Sequence, residues 1–143
     1  MTEVKQIMKK CPVVLRPETT LAEAARILAE HQVDGAPVVT DELAIVGMIS
    51  ENQLLDVLFD LPAREAPVSD YMTRELVVLA PTDPLSRAAQ LFALYAFRRL
   101  PVVEHEQLVG IVTRRDLMIY ALGSSELLTE PLVELMPELA PLT

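Results

Sequence analysis

Residues 13–17 read Val-Val-Leu-Arg-Pro, and residues 77–81 read Val-Val-Leu-Ala-Pro. The offset between the two stretches is 64 residues (81 − 17), and the same offset carries Pro37-Val38-Val39 onto Pro101-Val102-Val103. A similarity held at one spacing over many positions indicates two copies of one structural unit. The other equivalent pairs are Val4 with Val68, Met8 with Met72, Leu21 with Leu85, Ala24 with Ala88, and Ala25 with Ala89.

The offset falls to 63 after the Pro-Val-Val segments, where Val46-Gly47 matches Val109-Gly110. One residue has been lost from a polar turn, which is where a change of length disturbs a fold least. We therefore predict repeat 1 at 1–61, a linker at 62–67, repeat 2 at 68–123 and a C-terminal tail at 124–143.

Each repeat has the pattern of a β-α-β-β-α unit. A short apolar strand, at 13–15 or 77–79, ends at a proline and is followed by a helix. The Pro-Val-Val strand and the strand after it are joined by a polar turn, which is typical of a β-hairpin. A second helix is predicted at 51–59 in repeat 1 and at 114–122 in repeat 2. The fold class is therefore α/β (α+β), with both element types in every repeat.

Capping residues fix where the helices begin. Thr20 and Glu23 have the spacing of a capping box before the first helix. In repeat 2, Asp83 is predicted to cap the equivalent helix, with Pro84 at its first position. Gly123 is predicted to end the last helix.

The predicted helix at 84–97 carries only one polar residue, Gln90, between Ala88 and Phe97. A helix that is apolar on every face needs burial on every face. One face can pack on its own sheet, and the remainder needs other parts of this chain or a second copy. We therefore predict a homodimer.

The formal net charge is −9, and aromatic residues make up 4% of the chain, without any tryptophan. An acidic chain repels nucleic acid and anionic membranes, and it has few rings on which bases could stack. No run of 18 apolar residues occurs, so no transmembrane helix is predicted. The N-terminus lacks a signal-peptide pattern, and a single Cys11 cannot form an internal disulfide. A cytoplasmic location, without nucleic-acid or membrane partners, is the expectation.

The repeats, with their Pro-Val-Val strands and a Gly-Ile-Val-Thr-Arg-Arg-Asp segment at 110–116, resemble a tandem CBS domain pair, also called a Bateman module. The counterpart segment in repeat 1 is Gly-Met-Ile-Ser-Glu-Asn-Gln at 47–53. The resemblance covers about residues 4–122. It implies a pseudo-twofold pair with ligand clefts between the repeats, adenine nucleotides or S-adenosylmethionine as regulatory ligands, and dimers.

Thr113 and Asp116 allow two interpretations. Thr113 is a natural N-cap, and a carboxylate in the first turn stabilises a helix without any ligand. In the resembled family, however, the Thr and Asp of this segment contact the ribose and phosphate side of a nucleotide. Ile111 and Arg115 belong to the same segment and are included in the candidate ligand site.

Four of the chain's 12 lysines and arginines are Arg98, Arg99, Arg114 and Arg115, which fall within 18 residues (115 − 98 + 1). Guanidinium groups match phosphate in a fork geometry. The alternative is a set of solvated arginines that pair with glutamates. The resemblance assigns the phosphate contact first to Arg99 and second to Arg98.

The corresponding stretch of repeat 1 is Val33-Asp34-Gly35-Ala36-Pro37, in which Asp34 would repel phosphate. If the pseudo-twofold holds, Gly35 and Ala36 let a ligand held by repeat 2 approach the backbone; a plain small-residue turn is the alternative. Because Gln53 replaces the aspartate here, the site of repeat 1 is expected to bind nucleotide weakly or not at all.

No catalytic set is visible, and neither His31 nor His105 has a metal-ligand partner at a useful spacing. We therefore expect no enzyme, no catalytic residue and no metal. The tail repeats the 67–72 pattern as Pro131-Leu132-Val133-Glu134-Leu135-Met136, at an offset of 64 (136 − 72). It is the opening of a third unit, an amphipathic cap or a flexible tail.

These observations predict a regulatory ligand-sensing module. It binds AMP, ADP, ATP or S-adenosylmethionine between the repeats and signals to a partner protein that the sequence does not identify. The alternative is a ligand-free dimerisation scaffold in which the Thr-Asp segment only caps a helix.

Overall fold

The computed structural model describes residues 2–123. Two compact bodies are present, each built on one repeat. Body 1 comprises residues 11–76 and 105–108, and body 2 comprises residues 2–10, 77–104 and the described residues from 109 onward. The predictions made for the tail at 124–143 lie outside the described residues.

Body 1 contains the first helix and the first hairpin. Helix α1 (Leu21–His31) begins after Thr20, whose Oγ1 accepts the Glu23 N–H at 3.1 Å, as the capping pattern predicts. Strands β1 (Gly35–Val39) and β2 (Ile45–Ser50) pair antiparallel, with Gly35 opposite Ser50. Helix α2 (Glu51–Leu58) follows directly. The apolar faces of these elements enclose a core that includes Leu15, Leu21, Val38, Ile49 and Val68.

Body 2 repeats this order. Helix α3 (Leu85–Leu94) is followed by the paired strands β3 (Arg99–Glu104) and β4 (Gln107–Thr113) and by helix α4 (Arg114–Gly123). His105 and Glu106 turn the hairpin in the left-handed region, with φ of 53° and 67°. The core of body 2 includes Val4, Leu79, Phe92, Leu100 and Val102. Within residues 2–123, both hairpins and the four α-helices were predicted from the sequence.

The predicted strands at 13–15 and 77–79 are not strands but isolated bridges. Leu15 pairs in parallel with Val38, and Leu79 pairs in parallel with Val102. Each leucine still forms both backbone bonds of its bridge. The Leu15 and Leu79 N–H groups donate to Pro37 O and Pro101 O, each at 2.9 Å, and the Leu15 and Leu79 carbonyls accept from the Val39 and Val103 N–H groups, each at 2.8 Å. The proline after each stretch prevents the ladder from continuing.

Helix α3 also differs from its prediction. It ends at Leu94 rather than at residue 97, and its N-cap is Pro84 without any side-chain cap. Asp83 instead accepts the Ala80 N–H at 2.8 Å and pairs with Arg87, so the predicted Asp83 cap is wrong. Leu94 and Tyr95 are 68% and 47% exposed, so the burial on every face that the sequence predicted is not reached within the described chain.

Each body is completed by a short segment that we call a lead segment. Lead segment 1 (residues 3–9) precedes repeat 1 in the chain but packs in body 2, where the Val4 N–H donates to Asp83 O at 2.8 Å. Lead segment 2 (residues 67–73) opens repeat 2 but packs in body 1, where the Val68 N–H donates to Thr19 O at 2.7 Å. The predicted boundaries at 61 and 68 separate the two sequence repeats and stay a prediction. The two compact bodies do not coincide with the repeats, because each contains a lead segment from the other repeat.

Candidate functional site

The arginine-rich segments of body 2 lie next to each other. Arg98 precedes β3, Arg99 begins it, and Arg114 begins α4 directly after β4. The Arg114 N–H donates to Arg98 O at 3.0 Å, which fixes the start of β3 beside the N-terminus of α4. The proximity that the hairpin pattern predicted for the two arginine pairs is therefore present in the backbone.

The four side chains of this cluster differ in their surroundings. Arg98, Arg114 and Arg115 are exposed, and Arg99 is half-buried. The Arg114 guanidinium donates to Phe92 O at 3.3 Å, so it is held against the end of α3. Because the chain carries a net charge of −9, the cluster is a local cationic region in an acidic protein.

Thr113 and Asp116 form a reciprocal capping box at the N-terminus of α4. The Asp116 N–H donates to Thr113 Oγ1 at 3.0 Å, and the Thr113 N–H donates to Asp116 Oδ2 at 3.3 Å. The box satisfies two backbone donors that the first turn of a helix otherwise leaves without partners. The capping interpretation of these two residues is thus confirmed, and any ligand role has to be added to it.

The second oxygen of the Asp116 carboxylate pairs with Lys9 of lead segment 1. Lys9 Nζ lies 2.9 Å from Asp116 Oδ1, and the Asp116 side chain is only 18% exposed. The Lys9 backbone bridges Ile111, with N–H to carbonyl distances of 3.1 and 2.9 Å. Sequence reasoning missed Lys9, because lead segment 1 lies 107 residues from Asp116 and belongs to repeat 1 in the chain.

Body 1 contains the neutral counterpart of this arrangement. Ser50 and Gln53 form the equivalent capping box, in which the Ser50 N–H donates to Gln53 Oε1 at 2.8 Å. Gln53 Nε2 donates to Thr73 Oγ1 at 3.0 Å. Thr73 occupies the position of Lys9 in its lead segment (9 + 64), and Gln53 occupies the position of Asp116 (116 − 63). In both bodies the fourth residue of the box therefore binds the lead segment, but only body 2 does so with charges.

The backbone before β1 makes the same hydrogen bond as the backbone before β3 in body 2, but the side chain at this position is not basic. The Glu51 N–H donates to Asp34 O at 3.0 Å, as the Arg114 N–H donates to Arg98 O. Asp34 stands at the position of Arg98 (34 + 64), so an acidic residue replaces a basic one. Body 1 thus lacks the cationic character of the body 2 site.

The remaining predicted ligand contacts are more buried than the sequence implied. Ile111 is 3% exposed and belongs to β4, where its backbone is bonded to Lys9. Ala36 is 0% exposed and lies in the core of body 1, and Gly35 is the first residue of β1. Gly35 and Ala36 belong to body 1, whereas the other six predicted residues belong to body 2.

Metal binding, the surroundings of His31 and membrane insertion were also considered for residues 2–123. No group of three or more His, Cys, Asp or Glu side chains in this part of the chain is placed to hold a metal ion. His31 ends α1, and its Nδ1 lies 2.9 Å from Ile27 O. No helix in this part of the chain has the length and apolarity needed to cross a bilayer.

Comparison with known proteins agrees with the duplicated architecture. A model of the CBS domain matches residues 4–60 and 68–123. The chain is 35% identical over 121 residues to the uncharacterized protein MJ1225 of Methanocaldococcus jannaschii, covering 85% of this chain but only 43% of that protein. Against some relatives, then, the chain spans less than half of their length.

Two solved structures are similar over 86% of this chain and 98% of their own chains. The first is CBSX2, a CBS-pair protein of Arabidopsis thaliana, in complex with AMP, with 32% identity and a TM-score of 0.78. The second is the CBS domain pair of protein MJ0100 in complex with 5′-methylthioadenosine and S-adenosyl-L-methionine, with 27% identity and a TM-score of 0.75.

Proposed function

Because this chain belongs to the CBS domain family as a tandem pair, we propose that it is a regulatory module that binds an adenosyl ligand and signals its presence to a partner protein. The observation that carries the proposal is the site in body 2 where the arginine cluster lies beside the capped N-terminus of α4. Solved relatives that hold AMP, or methylthioadenosine and S-adenosylmethionine, support the choice of ligand class.

The ribose end of the ligand is assigned to Asp116. An ionised carboxylate offers about four acceptor positions, and the Asp116 side chain uses one oxygen for the Thr113 N–H and the other for Lys9. Acceptor capacity therefore remains for the vicinal hydroxyls of a ribose. The Lys9 side chain is 59% exposed, and its flexible stem allows the ammonium to move aside for the ligand.

The phosphate end is assigned to Arg99 and Arg98, with Arg115 as a further cation. A guanidinium donates two parallel hydrogen bonds to phosphate oxygens, which gives orientation as well as binding energy. The N-terminus of α4 adds a partial positive charge to the same region. Gly35, Ala36 and Ile111, all three of them buried, stay predicted contacts.

Body 1 is proposed to bind such a ligand weakly or not at all. Gln53 has one acceptor oxygen, which already receives the Ser50 N–H. Asp34 places an acidic residue where body 2 has Arg98, and it would repel phosphate. Binding at one site would favour the conformation that holds the ligand, and a partner would respond to that shift in population.

Thermal unfolding with a ligand panel tests this function. A ligand at 100 times its Kd adds about 2.7 kcal/mol of stability, so at least one of AMP, ADP, ATP, NAD and S-adenosylmethionine is expected to raise the melting temperature by several degrees. Inorganic phosphate at the same concentration is the control for non-specific anion binding. If none of the five raises the melting temperature beyond that control, the ligand-sensing function is rejected.

A second candidate, a ligand-free homodimerisation scaffold, is favoured by apolar side chains that are exposed at equivalent positions of α4 and of α2 with its C-cap residue. Leu55 and Phe59 are 55% and 84% exposed, and their equivalents at an offset of 63, Met118 and Leu122, are 47% and 74% exposed. Side chains four residues apart share one helix face. A repeated apolar pair of this kind is typical of a protein–protein contact, and a second copy of this chain is the proposed occupant.

The mass in solution tests the dimer. Light scattering at micromolar concentration is expected to give twice the mass of one chain, and replacing Phe59 and Leu122 together with glutamate is expected to give the mass of a single chain. Replacing the exposed Asn52 and Arg115 with glutamate is the control, because these side chains lie on the same two helices but are polar. A single-chain mass for the unaltered protein would reject the dimer.

A further inference from the structure

Helices α2 and α4 have exposed faces that match position by position. The α2 face consists of residues 51, 52, 55, 56, 59 and 60, and the α4 face consists of residues 114, 115, 118, 119, 122 and 123, at an offset of 63. Every residue of both faces is exposed. Helical spacing places the first five positions of each face within about 140° of the helix circumference. Each face is therefore one continuous surface.

The two faces share an apolar centre. Leu55 and Phe59 of the α2 face are equivalent to Met118 and Leu122 of the α4 face, and all four side chains are between 47% and 84% exposed. The α4 face adds Ile119, which is 54% exposed. Removing such side chains from water is favourable, so each centre is suited to contact with another apolar surface.

The charges around the two centres are opposite. The acidic residues of the α2 face are Glu51, Asp56 and Asp60, and the basic residues of the α4 face are Arg114 and Arg115. The α2 face contains no basic residue, and the α4 face contains no acidic one. No salt bridge within residues 2–123 uses any of these five side chains. Their charges therefore remain available to a partner.

Neighbouring charges do not remove this contrast. Arg64 Nε donates to Leu58 O at 2.6 Å, so one cation lies at the C-terminal end of α2. Counting it changes the charge of the α2 face from −3 to −2 (−3 + 1). In the first turn of α4, Asp116 is paired with Lys9, and counting both leaves the charge of the α4 face at +2 (2 − 1 + 1).

The two bodies differ in charge in the same sense as their faces. Within residues 2–123, body 1 has 4 basic and 13 acidic residues, which gives a net charge of −9 (4 − 13). Body 2 has 8 basic and 4 acidic residues in the same part of the chain, which gives +4 (8 − 4). Opposite net charges steer body 1 of one copy toward body 2 of another during association.

We propose that a second copy of this chain docks with unlike faces in contact, so that the α2 face of each copy covers the α4 face of the other. The proposal rests on the homodimer proposed above and adds its orientation. A twofold dimer repeats each contact, so the unlike contact forms twice. Pairing like faces would place three carboxylates against three and two guanidinium groups against two, and like charges across an interface oppose that arrangement.

Crosslinking between two marked chains tests the orientation. Both chains carry Cys11→Ser, which removes the one native cysteine. One also carries Leu55→Cys and an affinity tag, and the other carries Met118→Cys. A short bis-maleimide is expected to join the two chains in their mixture several times more often than it joins either chain to itself. Glu30→Cys, at an exposed position of α1, measures chance collisions. Crosslinking of Leu55→Cys chains to each other as often as in the mixture would overturn the proposal.

An exchange of charges tests the cause of this orientation. Arg114→Glu with Arg115→Glu, in the chain marked on α4, is expected to lower crosslinking in the mixture several-fold, because two acidic side chains then face the acidic α2 face. Adding Glu51→Lys with Asp56→Lys to the chain marked on α2 is expected to restore it, which also shows that the reversed chain is folded. An unchanged crosslinked fraction after the arginine reversal would show that charge does not select the pairing and would overturn the proposal.

The mass in solution separates failure of the orientation from failure of the dimer. A doubled mass with crosslinks between like faces overturns the orientation and leaves the homodimer standing. A single-chain mass for the unaltered protein rejects the homodimer and the orientation together. Neither result changes the thermal shift with an adenosyl ligand, which tests the ligand-sensing function by itself.

Discussion

Asp116→Ala is expected to abolish the rise in melting temperature that an adenosyl ligand produces, whereas Gln53→Ala is expected to leave it intact. The two residues hold equivalent positions in two capping boxes. Only Asp116 is charged and lies in the body that carries the arginine cluster. At a ligand concentration of 100 times the Kd, the stabilisation that Asp116→Ala is expected to remove is about 2.7 kcal/mol.

The readout has to be the ligand-dependent shift rather than the melting temperature itself. Asp116→Ala also removes one half of a capping box and the partner of Lys9, and losing a cap costs about 1 kcal/mol with or without a ligand. Asp116→Asn separates the two roles, since an amide oxygen still accepts the Thr113 N–H but the side chain is neutral. If Asp116→Ala keeps the full shift and Gln53→Ala loses it, the ligand belongs to body 1 and the assignment is wrong.

The sequence predicted the duplicated architecture well, because the signals for it are local or strictly periodic. Thr20 caps α1, and Ser50 caps α2, because short polar side chains reach the N–H groups of the first turn regardless of distant structure. The hairpins follow from two apolar stretches around a short polar turn. Such features can be recognised within a window of about 11–18 residues.

Features set by distant partners could not be predicted. The stretch at 13–15 has the composition of a strand, but only Leu15 finds a pairing partner, Val38, and this depends on the tertiary arrangement. The sequence did not indicate which body each lead segment packs in. Pro17 of body 1 and Pro81 of body 2 accept the same backbone hydrogen bond, so the two docking positions look alike in the sequence.

The candidate site was predicted in part for the same reason. The neighbouring positions of Arg98 and Arg114 follow from the hairpin, and the backbone bond between them has that local origin. The Lys9–Asp116 ion pair depends instead on the docking of lead segment 1 in body 2. Burial of Ala36 and Ile111 depends on the cores of two different bodies, and a short sequence segment does not reveal it.

Leu79→Ala is expected to cost about 2–5 kcal/mol of unfolding free energy, the range for removing a fully buried leucine side chain. Leu79 is 0% exposed and packs in the core of body 2. Its backbone bonds with Pro101 and Val103, at 2.9 and 2.8 Å, do not involve the side chain and are kept in the variant. The loss therefore measures the packing of the leucine side chain alone, and urea unfolding at an unchanged slope reports it.

The adjacent Val78 is the matched control, because it lies in the same short stretch but is 36% exposed. Val78→Ala is expected to cost about 0.5 kcal/mol or less, as for most surface substitutions. A repeated architecture makes the same prediction for the pair Leu15→Ala and Val14→Ala in body 1, where Leu15 is 2% and Val14 is 38% exposed. An equal loss of stability in the valine and leucine variants would contradict this prediction. It would mean that both faces of each stretch are buried, rather than the leucine side alone.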